Sequence, residues 1–284
     1  MRKLLLMAII PTILLSSSCK KTPQETPMIP INISTAITKV TDTAFEQGDA
    51  VGLYVVNQPA TLSNYGNHAN NVKFTFSGTS WDSEQKLYWP DETTKGDFYV
   101  YFPYSSYANT DSYSFSVQRN QSTDSGYKSS EFLVGQSLGI TPTSDPVLIN
   151  VRHLMSCLRI ELKAGTGLTE ADLENASVTI CGLQTQANIK LEGGGISPNG
   201  DIAEIQPLSL GNRVFRALVV PQSVNDSELL RIKLGSNEYS MKTSATFVSG
   251  KQHTCIVTVN RTGEGINVGI DPWGDGDDYN GTVE

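Results

Sequence analysis

The stretch VKFTFSG (72–78) alternates strictly between apolar and polar residues. Successive side chains of a β-strand point to opposite faces, so Val72, Phe74 and Phe76 would share one face. Lys73 and Thr75 would share the other. The stretch therefore predicts a half-buried β-strand.

The same alternation recurs along the chain, and Gly, Pro, Asn, Asp and Ser cluster between the alternating stretches, as turns between antiparallel strands require. Only LTEADLENA (168–176) carries helix signals, with Thr169 as N-cap and Asp172 at the third helical position. Many short strands with one or two helical turns predict an all-β fold of antiparallel β-sandwiches. The further predicted strands are 49–56, 96–104, 112–118, 147–162, 176–183, 186–193, 213–222, 228–235, 251–260 and 265–270.

The chain has 284 residues, a length that suits two domains after a short leader. The weak helix and the glycines of Gly165-Thr166-Gly167 lie near the middle. We therefore predict an N-terminal β-sandwich over 31–166 and a C-terminal β-sandwich over 167–284, with an uncertainty of about ten residues at the boundary.

The N-terminus has the pattern of a secretory signal peptide over 1–18, with a basic start and an apolar run from Leu4 to Leu15. That run is too short to span the hydrocarbon core of a bilayer as a helix. Residues 15–19 resemble a bacterial lipobox, which implies lipid on Cys19 and a membrane anchor. Residues 19–30, rich in Pro and Thr, would form an extended tether.

The formal net charge of −8 argues against nucleic acid as a partner. After Cys19, the chain has Cys157, Cys181 and Cys255, an odd number with no C-x-x-C spacing. This pattern indicates neither a disulfide framework nor a zinc site. We expect these three cysteines to be small buried side chains on strands, with at most one disulfide bridge among them.

Catalytic and metal chemistry has little support in the sequence. His68, His153 and His253 lie beside no recognisable nucleophile motif, and no metal, phosphate or dinucleotide fingerprint occurs. We expect His153 and His253 to be strand residues with satisfied hydrogen bonds, no cofactor and no enzymatic activity. The acidic tail fails the spacing of a calcium loop and is interpreted as solvated, at Asp271, Asp275, Asp277 and Asp278.

Aromatic residues could stack on sugars at an adhesive surface. In GDFYVYFPY (96–104), however, both alternating faces carry large side chains, so core packing is the favoured interpretation. The residues concerned are Tyr88, Trp89, Tyr99, Tyr101, Tyr104 and Tyr107.

Several segments resemble, in order and spacing, the fimbrillin family of the Bacteroidales, which includes Mfa-like pilus subunits. ITKVTDTAFEQGDAVGLYVVN (37–57) is similar to the family's opening, and YWPDETTKGDFYVYFPY (88–104) to its Tyr-Trp-Pro and aromatic strand. HLMSCLRIEL (153–162) is similar to its His-x-x-Ser strand. The remaining matches are 178–191, 217–223, 247–260 and 265–273.

The resemblance implies two transthyretin-like domains with Greek-key character, made as an exported lipoprotein precursor at the outer membrane. It implies a stalk, tip or anchor subunit of a cell-surface fimbrium that serves adhesion to a host or bacterial ligand. Family members that polymerise lose an N-terminal segment to a protease and accept a strand from a neighbouring subunit. Physically, this is β-strand addition to an open sheet.

Two sites follow from the resemblance. No arginine occurs between Cys19 and Arg119, so Lys39 is the candidate processing site. The candidate donor strand is INVGI (266–270), with Ile266, Val268 and Ile270 on one face, although an ordinary final strand fits the pattern equally.

The groove for such a donor would open if residues around Ile29 to Val40 departed. That segment alternates Ile29, Ile31 and Ile33 and then changes register, so it could also be a resident strand. The alternative function is a monomeric surface lipoprotein that binds glycan, and an exported hydrolase is a weaker rival.

Overall fold

The computed structural model describes residues 28–37, 44–262 and 265–270. Within them the chain forms one short helix, α1 (Asp124–Lys128), and one 3-10 turn (Glu170–Leu173). The strands are β1 (Ile33–Ile37), β2 (Ala50–Asn57), β3 (Ala69–Phe76), β4 (Trp81–Asp82), β5 (Gly96–Phe102), β6 (Tyr113–Ser116), β7 (Leu133–Ile140), β8 (Val147–His153), β9 (Ser156–Ala164), β10 (Ser177–Lys190), β11 (Gly195–Ile205), β12 (Leu208–Gly211), β13 (Val214–Val219), β14 (Ser223–Leu234), β15 (Asn237–Thr246), β16 (Gln252–Thr262) and β17 (Gly265–Ile270). The predicted all-β class is confirmed.

The strands form three sheets. The first has the order β1-β8-β7-β5-β2-β3-β4. The second has the order β11-β10-β14-β15, with β6 also paired to β10, and the third has the order β12-β13-β9-β16-β17. Most pairs are antiparallel as predicted, but β1 pairs with β8 and β16 with β9 in parallel. Both parallel pairs join strands far apart in the chain, which gives the long connections that parallel pairing needs.

Two apolar cores lie on the two faces of the first sheet. Leu53 and Val55 of β2 belong to the first core, whereas Tyr54 and Val56 belong to the second. The second core also contains the buried residues of the second and third sheets. Both faces of β2 and β5 are therefore covered. For β5 the aromatic alternation of 96–104 predicted this.

Phe132, immediately before β7, connects the sheets through the second core. It is fully buried, with its ring centroid 5.0 Å from that of Tyr113, 4.9 Å from that of Phe115 and 6.2 Å from that of Tyr101. Tyr101 belongs to the first sheet and the other two rings to β6, which pairs with β10 of the second sheet. The ring of Phe132 therefore joins the first and second sheets.

Sheet membership changes between His153 at the end of β8 and Ser156 at the start of β9. β9 pairs with β13 and β16 of the third sheet. In addition, β6 lies before His153 in the chain but pairs with β10 of the second sheet, so the sheets do not divide the chain at a single residue. Where the two predicted domains, 31–166 and 167–284, divide stays a prediction.

Several local predictions need correction. The stretch 147–162 is not one strand, because it breaks at Leu154 and Met155, two consecutive buried residues that interrupt the alternation. The stretches 176–183 and 186–193 belong largely to one strand, β10. β4, β7, β11, β12 and β15 were not predicted.

Helix α1 was not predicted either, because DSGYK has no apolar repeat. Its signals lie at its ends: the N-cap Thr123, whose Oγ1 accepts from the Gly126 N–H, with Asp124 in the first turn and Lys128 in the last. The predicted helical turn at 168–176 is a single 3-10 turn. There the backbone N–H of Thr169 donates to Asp172 Oδ2 at 2.7 Å, which confirms the reciprocal contact of a capping box.

Candidate functional site

Residues 28–37, here called the N-terminal segment, lie along the first sheet, with β1 at Ile33–Ile37 and an isolated bridge between Pro30 and Tyr88. The side chains of Ile31 and Ile33 are buried in the first core, and Asn32 between them is exposed. The five residues of β1 pair with β8 without a shift, from Ile33 opposite Val147 onward. The predicted change of register after Ile33 is therefore wrong, and the segment is a resident strand of this structure.

Backbone hydrogen bonds hold the N-terminal segment on both sides. The Ile31 N–H donates to the Leu87 carbonyl, and the Trp89 N–H donates to the Ile29 carbonyl, each at 2.9 Å. On the other side, the Val147 N–H donates to the Asn32 carbonyl at 2.9 Å. We call the space that the segment fills, between residues 87–89 and β8, the acceptor groove.

An aromatic group flanks this groove. The ring centroid of Trp81 lies 4.9 Å from that of Phe45 and 5.1 Å from that of Phe76, and the centroids of Phe45 and Phe102 are 5.6 Å apart. The Trp81 Nε1–H donates to Thr35 Oγ1 at 3.1 Å. Sequence analysis missed this contact, although Thr35 keeps the inward spacing of Ile31 and Ile33.

A small pocket beside Phe45 adjoins this aromatic group and is also lined by Phe102, Leu133 and Glu131. At its rim Lys128 forms an exposed ion pair with Glu46. Exposed pairs of this kind contribute little to stability.

The candidate donor residues Ile266, Val268 and Ile270 lie on β17. This strand pairs antiparallel with β16, with Val268 opposite Val259, and it is the outermost strand of the third sheet. Within the described residues it is thus an edge strand of its own sheet. Its exchange to another subunit stays a prediction.

Several predicted features fall outside the described residues. They are the signal peptide 1–18, the lipidation site Cys19, the tether as far as residue 27, the processing site Lys39 and the acidic tail from Asp271. No helix in the part of the chain that the structure describes has the length and hydropathy of a transmembrane helix.

The histidines form no catalytic group within the described ranges. His153 is buried, with its Nδ1 2.8 Å from Glu131 Oε2. Its Nε2 has no hydrogen-bond partner among the described residues, so the prediction that the hydrogen bonds of His153 are satisfied is wrong. The Nε2 of His253 accepts from a backbone N–H at 3.1 Å, and that of His68 lies 2.7 Å from a backbone carbonyl. Among described residues, no three His, Cys, Asp or Glu are placed to hold a metal.

Cys157, Cys181 and Cys255 are free thiols, buried on β9, β10 and β16 as predicted. Burial raises the pKa of Cys157 and of Cys181 to about 11 and that of Cys255 to about 12. The thiolate is the reactive form of cysteine, so these side chains are poor nucleophiles at neutral pH.

The raised thiol pKa values predict a loss of stability at alkaline pH. The folded state keeps these protons at pH values where the unfolded chain releases them, so the stabilisation is complete below the unfolded pKa. It should be lost as pH rises from about 9, by at most about 1.4 kcal/mol per pH unit for each thiol. Urea unfolding of the wild type and of Cys255→Ala at pH 8, 9 and 10 measures this, and equal slopes in both proteins would contradict it.

The aromatic residues divide by burial. Trp89, Tyr99 and Tyr101 are buried, which confirms core packing for these three. Tyr107 is 93% exposed, and Tyr65, which sequence analysis did not consider, is 85% exposed. The prediction of core packing is therefore wrong for Tyr107.

Comparison of the sequence with known protein families and proteins identifies related chains. The sequence profile of the fimbrillin-like family matches residues 38–273. A protein of Bacteroides uniformis provisionally named fimbrium subunit Fim1C is 26% identical over 306 residues, covering 100% of this chain and 99% of the relative.

Solved structures agree with this match. A provisionally named cell adhesion protein from Bacteroides uniformis ATCC 8492 has a TM-score of 0.67 and 25% identity, covering 87% of this chain and 98% of that chain. One from Bacteroides ovatus ATCC 8483 has a TM-score of 0.69 at 18% identity, covering 89% and 99%, and shows a shared fold.

The fold places this chain in the class of all-β proteins that also includes these two solved, provisionally named cell adhesion proteins. Within that class the family match covers most of the sequence. The chain belongs to the fimbrillin-like family, as its sequence patterns predicted.

Proposed function

We propose that this chain is a subunit of a cell-surface fimbrium that assembles by β-strand exchange and serves adhesion, without a cofactor or catalytic turnover. The observation that carries the proposal is the N-terminal segment, a short strand held in the acceptor groove by a single five-residue ladder and a few flanking hydrogen bonds. The names of its relatives as fimbrium and adhesion proteins support the same role.

Departure of the N-terminal segment would open an apolar groove. Ile31 and Ile33 are each 4% exposed, and burying an isoleucine side chain contributes about 1.5–3 kcal/mol. Departure of the segment would also leave the edge of β8 without a partner strand, and such an edge is a template for another strand. A donor with alternating apolar residues would restore both the ladder and the buried contacts.

The position of Lys39 suits a cleavage that opens this groove. Lys39 follows the last residue of β1, Ile37, by two residues. One cut after Lys39 would release β1 together with the predicted lipid on Cys19. We propose that the lipid tethers the precursor to the membrane and that this cut converts it into an assembly-competent subunit of the outer-membrane fimbrium.

The donor in this proposal is the segment Ile266–Ile270. β17 has one hydrogen-bonded neighbour in its sheet, β16, so it can leave without breaking another strand pair of the described sheet. We propose that it enters the acceptor groove of the next subunit, and that the domains over 31–166 and 167–284 are transthyretin-like.

Replacement of Lys39 tests the processing step. We expect Lys39→Gln to abolish the form of the protein that begins beyond Cys19, because the proposed protease would recognise a basic side chain before the bond that it cuts. The N-termini of the protein extracted from cells are read by mass spectrometry. Lys95→Gln, at a loop lysine, is the matched control and should leave processing unchanged. Normal processing of Lys39→Gln would exclude this site.

A further inference from the structure

Trp81 has a polar contact whose role goes beyond packing. Its side chain is 9% exposed, and its Nε1–H has the Thr35 hydroxyl of β1 as its partner at 3.1 Å. A buried indole N–H needs an acceptor, because leaving it unpaired costs the desolvation free energy of the donor. The N-terminal segment therefore supplies one specific hydrogen bond in addition to its apolar contacts.

The apolar contacts alone do not define the register of this segment. A slip of one residue would turn Asn32 and Ser34 inward and is disfavoured. A slip of two residues keeps the same face inward, and the sequence has isoleucine at 29, 31, 33 and 37. In the direction that brings Ile29 and Ile31 to the positions of Ile31 and Ile33, isoleucine would therefore still occupy both buried positions after a slip of two.

The hydrogen bond to Trp81 removes this ambiguity. The residues two positions before and after Thr35 are Ile33 and Ile37, and neither side chain has an acceptor. We propose that Trp81 sets the register of the strand in the acceptor groove by selecting a hydrogen-bond acceptor two residues beyond the second buried apolar residue.

The same rule applies to an incoming donor, a step that rests on the proposed function. The preferred pattern is Ile or Val, any residue, Ile or Val, any residue, then Ser, Thr, Asn or Asp. The terminal strand is taken in the same direction as β1. If Ile266 and Val268 fill the two buried positions, Ile270 takes the position of Thr35; if Val268 and Ile270 fill them, Pro272 does. A second copy of this chain's own terminal strand can therefore fill the groove only with the Trp81 Nε1–H unpaired, and a donor that supplies the acceptor would bind it more tightly.

Disulfide trapping in the unprocessed chain tests the rule, with β1 itself as the surrogate for a donor. Ala36 and Asn150 are both exposed and lie opposite each other in the ladder. The pair Ala36→Cys with Asn150→Cys therefore reports the native register, and Ser34→Cys with Asn150→Cys reports the register slipped by two. Each pair is oxidised in the wild-type, Thr35→Val and Thr35→Ser backgrounds, and Asn150→Cys alone is the control.

We expect the native bridge to predominate in the wild-type and Thr35→Ser backgrounds, since both keep a hydroxyl acceptor. In Thr35→Val, the ratio of native to slipped bridge should fall at least about fivefold, which corresponds to about 1 kcal/mol. In a Trp81→Phe background, Thr35→Val should change the ratio less than about twofold, because the donor is already absent. This second comparison does not depend on the stability of either variant alone.

An unchanged ratio in Thr35→Val, or an equal fall in the Trp81→Phe background, would overturn the rule. The experiment involves no cleavage and no second subunit. Its failure would leave strand exchange untouched, and a failure of the chain to polymerise would leave the result for β1 standing.

Discussion

Replacement of Phe132 by alanine is expected to lower the free energy of unfolding by about 3–5 kcal/mol, the largest stability effect in this account. The side chain is fully buried, and its ring contacts Tyr101 of the first sheet and Phe115 of β6. Its removal leaves a cavity where two sheets meet, which the surrounding strands can fill only in part. Urea denaturation followed by circular dichroism measures the change.

Tyr107→Ala provides the matched control, because this ring is 93% exposed. Its effect on the unfolding free energy should stay within about 0.5 kcal/mol. A loss below about 1 kcal/mol in Phe132→Ala would contradict the conclusion that one shared core connects the first and second sheets.

Introduction of a carboxylate at Val268 is expected to reduce the amount of polymer at least tenfold. In the proposed assembly Val268 enters the apolar groove of the next subunit, and burial of an unpaired carboxylate there is strongly unfavourable. The fraction of heat-sensitive oligomer in surface extracts of cells that produce Val268→Asp measures the effect.

Asn267→Asp adds the same charge one residue earlier, on the opposite face of the strand. It should leave the polymer yield within about twofold of the wild type. The unfolding midpoint of purified Val268→Asp separates a donor defect from misfolding, since β17 also pairs with β16 in the free subunit. Wild-type polymer yield from a folded Val268→Asp would contradict the assignment of β17 as donor.

Much of the fold follows from local alternation. In β5, large side chains on both faces indicated burial on both sides, and the structure places them in two cores. β11 escaped prediction because most of its residues are exposed, so no apolar face marks it. The break at Leu154 could not be placed, because consecutive apolar residues fit either a strand or a crossing between sheets.

The candidate site was predictable only in part. Ile29, Ile31 and Ile33 marked a strand, but Thr35 obscured its continuation because a polar residue at an inward position resembles a change of register. Its partner Trp81 lies 46 residues away along the chain. A single sequence carries no signal for such a pair, since it depends on how the first sheet brings β1 and β4 together.

Strand exchange after removal of the N-terminal segment is the central claim, and the protein extracted from cells that make it tests this most directly. The sample is run in SDS with and without boiling and probed with an antibody against residues 167–284, and mass spectrometry reads the N-terminus of each band. We predict a ladder that collapses on boiling, with N-termini beyond Lys39. A single band that begins at lipidated Cys19 would contradict polymerisation by strand exchange and would leave an anchor subunit or a monomeric, glycan-binding surface lipoprotein.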